Sequence, residues 1–74
     1  MAIDNILNAI NSHNIIEISY IDKEGNSSIR SVEPYEIKNN KLYAYCLQRR
    51  ATRAFLVSNI RSIKVTDKHF APRW

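Results

Sequence analysis

Arg49, Arg50 and Arg53 fall within five residues of one another, in a connection flanked by Tyr45 and Phe55. Guanidinium groups beside aromatic rings suit a phosphate chain: the fork binds phosphate oxygens and a ring stacks on a base. The wider stretch from Ile37 to Thr66 adds Lys38, Lys41, Tyr43, Arg61 and Lys64 and contains no carboxylate. All seven Asp and Glu lie outside it, so a net charge of only +4 conceals a sharp internal asymmetry. Such a surface fits a polyanion, of which nucleic acid is the commonest. Arg30 is the other informative base. It stands between Ile29 and Val32 in a strand-like segment, where it either pairs with a carboxylate such as Glu17 or Glu33 or is held out for an anionic ligand. The arginine cluster also has a bland reading as a solvated loop that keeps a small domain soluble, and the tyrosines have one as core filler. Phe55, in the apolar run Ala54 to Val57, reads as core.

Other chemistries find little footing. His13 and His69 lie near opposite ends, Cys46 alternates onto an apolar face, and no pair of carboxylates is placed to divide acid and base roles. The expectation is a non-enzymatic protein with no metal and no cofactor, since three scattered ligands without short paired spacing define no site. A single cysteine forms no intramolecular disulfide, and no cationic leader followed by an apolar run opens the chain. A cytoplasmic location in a reducing compartment and no membrane span are expected. The abundance of Asn, Ile and Lys hints at an AT-rich coding genome, bacterial or phage.

The elements that must position these residues are few. Seventy-four residues make a single domain spanning 1–74, near the lower size limit, with a net stability of about 3 to 5 kcal/mol. Ile3, Ile6, Leu7 and Ile10 recur at helical spacing and predict a helix over about 2–12, stopped by Asn14 in the left-handed conformation. From Ile15 the apolar period changes to two, predicting strands over about 15–21, 27–38, 41–48, 53–57 and 61–66 and an irregular tail over 67–74. Gly25 serves the first turn, Pro34 marks a bulge, bend or edge in the second strand, and Asn39-Asn40 forms a tight hairpin. That hairpin sets Ile37 opposite Leu42 and Tyr35 opposite Ala44, with Tyr43, Tyr45 and Leu47 on the other face. One helix followed by five short strands predicts a mainly β domain, a small, strongly bent five-stranded barrel that closes its sheet to remove its edges.

Over nearly its whole length the chain resembles the bacterial WYL domain, a regulatory module with an Sm-like or SH3-type barrel. The resemblance rests on Ile16-Glu17-Ile18-Ser19-Tyr20, then Arg30-Ser31-Val32-Glu33-Pro34-Tyr35, then Leu42-Tyr43-Ala44-Tyr45-Cys46, and then Arg53-Ala54-Phe55-Leu56-Val57-Ser58-Asn59-Ile60, in that order. The tripeptide Trp-Tyr-Leu that names the family falls on Asn40-Lys41-Leu42, where only the leucine survives. Leu56 and Asn59 stand where the family often has arginine. WYL domains usually follow a winged helix-turn-helix in transcriptional regulators or are attached to CRISPR effectors and helicases, and are implicated in sensing nucleic acid or nucleotides. Met1 directly before the helix favours a free-standing module over an excised fragment. The resemblance implies anion contacts at Arg30 and Arg53, with Tyr45 and Arg49 or Arg50 as neighbours. Strict alternation puts Arg53 on the face of Phe55, and a bulge at the strand entrance would reconcile ligand and core roles.

The leading expectation is a ligand-sensing module that binds single-stranded DNA, RNA or a nucleotide through Arg30, Tyr45, Arg49, Arg50 and Arg53. The rival is a protein-interaction module joining a transcription, CRISPR or phage-host partner, or another copy of itself, through exposed strand edges or the segment Phe70 to Trp74. An RNA-binding Sm ring is a third possibility, opposed by the scarcity of glycine and by the arginine motifs.

Overall fold

A computed structural model describes residues 2–72. Helix α1 (Ala2–Ser12) precedes β1 (Asn14–Ile21), β2 (Ser27–Lys38), β3 (Lys41–Cys46), β4 (Ala51–Leu56), a 3-10 turn over Val57–Asn59, and β5 (Ile60–His69). The strands form one antiparallel sheet in the order β4-β3-β2-β1-β5. The two outer strands are not paired to each other among the described residues, so the expected closure is corrected to a curled, open sheet. The curl is strong. Tyr20 on β1 and Phe55 on β4 come from strands separated by two others, yet their rings meet edge to face at 5.2 Å.

One face of the sheet forms the core. Ile16, Ile18, Val32, Leu42, Ala44, Cys46 and Phe55 are buried there, and α1 contributes Ile6 and Ala9 to the same cluster. Alternation explains the set: Ile16 pairs with Val32, Val32 with Cys46, and Leu42 with Phe55, and directly opposed residues share a face. The helical stripe differs from its expected form, because Leu7 is exposed and Ala9 is buried in its place. A stripe at positions 3, 6, 9 and 10 is narrow enough for one face of an 11-residue helix, and position 7 falls outside it.

The turns follow local chemistry. Asn39 and Asn40 both take positive φ, 52° and 61°, as a two-residue hairpin matched to strand twist requires. Gly25 sits at φ 86° in the first turn, which Asp22 closes by accepting hydrogen bonds at its Oδ1 from the Glu24 and Asn26 N–H groups, each at 2.9 Å. At the end of α1 the left-handed residue is His13, φ 58°, and Asn14 already belongs to β1. Asn14 is occupied elsewhere: its Nδ2 donates to the Thr66 carbonyl at 2.9 Å, which fixes it in the sheet.

Two registers depart from simple alternation. Pro34, with no N–H to give, pairs with Ala44, and Glu36 pairs with Tyr43, so Tyr35 is the extra residue of a bulge and does not oppose Ala44. Ile37 does oppose Leu42. At the other edge, β5 continues to His69, beyond the expected end at 66, through an irregularity in which Thr66 Oγ1 donates to the Ile15 carbonyl at 2.6 Å.

Candidate anion-binding site

Arg30 lies on the core face of β2. It pairs with Ile18 and alternates with Ser28 and Val32, whereas Glu17 and Glu33 belong to the opposite face. Neither expected carboxylate is therefore its partner. Its Nε donates to Ser28 Oγ at 3.2 Å, and the side chain is half-buried. Arg53 is placed in the same sense on β4, paired with Ala44 and two residues from Phe55. Its guanidinium carbon stands 5.8 Å from the centre of the Phe55 ring, a cation–π arrangement.

The β3–β4 register runs unbroken from Lys41↔Leu56 to Cys46↔Ala51, so the bulge expected before Arg53 is absent. The reconciliation is vertical. Phe55 is buried at 3% exposure, and Arg53 rises over its ring to the half-buried rim of the concavity. Tyr20 packs edge to face on the same Phe55 ring. Among the described residues neither Arg30 nor Arg53 has a carboxylate within ion-pair distance; the Arg30 Nε is taken up by Ser28 and Arg53 rests on the Phe55 ring.

Arg49 and Arg50 occupy the turn over 47–50, both exposed, with Arg50 at φ 53°. A residue that sequence reasoning missed holds this turn. The Gln48 Oε1 accepts from the Ser31 N–H at 3.1 Å and from Cys46 Sγ at 3.6 Å, while the Leu47 N–H donates to the Ser31 carbonyl at 3.0 Å. The turn is thereby docked on the residue next to Arg30, which brings three of the predicted arginines to one end of β2 and β3. Nothing in the local sequence marks Gln48 for this task, because its partners are set by tertiary pairing.

Tyr45 is placed apart. It opposes Glu33 and Thr52 on the outer face, as alternation predicted, so it does not share a surface with Arg30 and Arg53. A groove of about 540 Å³, lined by Ile15, Glu17, Ser31, Leu47, Lys64 and Asp67 among others, borders the 47–50 turn without including an arginine in its lining. Among the described residues no group of three or more His, Cys, Asp or Glu is arranged to hold a metal ion. No helix among them is long and apolar enough to cross a membrane. Arg73 and Trp74, the end of the expected docking segment, lie outside the described residues.

The helix and the curled five-stranded sheet define a small, mainly β module. A family model described as WYL domain matches residues 1–65, and the chain belongs to that family. Among solved structures it is similar to proteasome accessory factor B/C of Arthrobacter aurescens, with a TM-score of 0.86 and 25% identity over 97% of this chain. The match covers 13% of that protein, so the chain corresponds to one module of a much longer one. No curated protein matches. Family and neighbour together support a regulatory, ligand-sensing module in general terms.

Proposed function

We propose that this WYL domain is a non-catalytic sensing module that binds single-stranded nucleic acid or a nucleotide at the rim formed by Arg30, Arg53 and the 47–50 turn. The observation that carries the reading is the position of Arg30 and Arg53. Two half-buried guanidiniums on the core-facing side of the sheet, without carboxylate partners among the described residues, are placed to meet an anion. Phosphate groups would be gripped by the forks, and Arg49 and Arg50 would extend the positive field along the backbone of the ligand.

Tyr45 separates a short ligand from a long one. A mononucleotide held at the rim does not reach the outer face, whereas an oligonucleotide that passes around the 47–50 turn can stack a base on Tyr45. Binding is read by fluorescence anisotropy with labelled single-stranded DNA and RNA at low and physiological salt. Arg53→Ala is expected to weaken binding about tenfold, the value of one charge-assisted contact. Tyr45→Ala is expected to weaken an oligonucleotide and leave a mononucleotide unchanged. No binding at either salt would overturn the reading.

A further inference from the structure

Among the described residues the sheet ends in β4 on one side and β5 on the other, and these two edges are built differently. β5 is interrupted by register shifts and carries Arg61, Lys64, Asp67 and Lys68, and charge and bulging are the features that keep an edge from recruiting another strand. β4 runs six residues in unbroken register with β3 and holds no Pro, Gly, Lys or carboxylate. Helix α1 lies over β1, β2 and β5, away from this edge. The one charge in β4, Arg53, is turned to the core face above Phe55. Alternate residues of β4 therefore direct both N–H and C=O away from β3 at strand spacing. Donors and acceptors alternate there. Another peptide strand satisfies both, whereas a phosphate chain offers acceptors alone.

We propose that β4 is an augmentation edge that accepts an extended acidic peptide as a sixth strand. Charge decides the chemistry of the occupant. Arg49 and Arg50 flank one end of β4, Arg53 lies within it, and Lys41 opposes Leu56 at the other end. A second copy of the chain would set this basic edge against itself, while an acidic strand is complementary to it. In an added strand the residue opposite Arg53 shares its face, so a carboxylate there meets the guanidinium directly. Its neighbours face the side of the exposed Thr52, Ala54 and Leu56 and suit β-branched or aliphatic residues. The partner segment accordingly alternates carboxylates with apolar residues. This inference goes beyond the anion-site reading and shares only the basic residues with it, so its test rests on backbone pairing.

The probe is a fluorescein-labelled peptide alternating Val and Glu, measured by anisotropy on the whole chain beside three relatives: one with Lys for Glu, one N-methylated on every Val and one on every Glu. The Lys peptide should not bind. One N-methylated phase blocks the edge that meets β4 and should lose about tenfold, the worth of one or two strand hydrogen bonds, and the other phase should bind as the parent does. Amide exchange should slow at alternate residues of β4 and stay unchanged along β5. Equal behaviour of the two N-methylated phases overturns the proposal, as does protection along β5. So does slowing of the same amides by an oligonucleotide but not by the peptide. A concentration-dependent dimer that excludes the peptide overturns it in favour of a second copy.

Discussion

Arg53 and Phe55 depend on each other, since the ring supports the guanidinium at the rim and the guanidinium covers a ring that the core alone does not fully enclose. Phe55→Leu keeps an apolar side chain of similar reach but removes the π face, so ligand affinity should fall more than stability, which should drop by about 1 kcal/mol. Phe55→Ala removes about 3 to 5 kcal/mol, as much as a domain this small possesses, and circular dichroism should show an unfolded chain. Asp22 supplies a pH prediction. Its carboxyl is held below the ordinary aspartate value chiefly by the Asn26 N–H, with the Glu24 N–H adding to it. A depressed folded value means that the group stabilises the turn above its unfolded value, and that this contribution is lost as the pH falls through the folded one. Amide protection at Gly25 and Asn26, corrected for the intrinsic exchange rate, should therefore fall as the pH drops through the depressed Asp22 value, and Asp22→Asn should flatten that dependence. At this scale much was legible in the sequence. Alternation put Arg53 with Phe55 and Tyr45 on the other face. Alternation along β2 already sets Glu33 on the face opposite Arg30, whereas the exclusion of Glu17 was not legible, because it needs the register that pairs Arg30 with Ile18.

The elements themselves were mostly written in local chemistry, and the departures have nonlocal causes. The helix and the second strand end where composition predicted, and the double positive φ at Asn39 and Asn40 makes the hairpin a direct target. Asn40→Gly should raise the melting temperature slightly and Asn40→Ala should lower it, the latter by about 1 kcal/mol of stability for an alanine forced to positive φ. Gln48→Ala should cost about 1 kcal/mol through its lost bond to Ser31 and should weaken anion binding by freeing the turn that carries Arg49 and Arg50. Calorimetry and anisotropy on the same variant separate these two effects. The helix stop fell on His13 instead of Asn14 because Asn14 is claimed by Thr66, 52 positions away, and β5 outran its expected end for the same reason. The displacement of Tyr35 into a bulge arose from Pro34, whose presence was visible though the direction of the slip was not.

At the scale of the whole molecule, the proposed binding of a phosphate chain at the cationic rim would be governed by counterion release. With three or four phosphates engaged, the logarithm of affinity should fall with that of salt at a slope of about −2 to −3 for a single strand, measured by titration from low to physiological salt. The expectation of a closed barrel failed because burying one face requires only curvature, and ring packing of Tyr20 on Phe55 supplies contact across the gap without strand pairing. The position of β1, between β2 and β5, has a different consequence. Asn14 pairs with His69 and Tyr20 with Ile60, so the first strand made is completed by the last. On a ribosome, β2, β3 and β4 can form a meander while one flank of β1 waits, and chain truncated before residue 60 should remain protease-sensitive. The sheet is in this sense unfinished until β5 has been made.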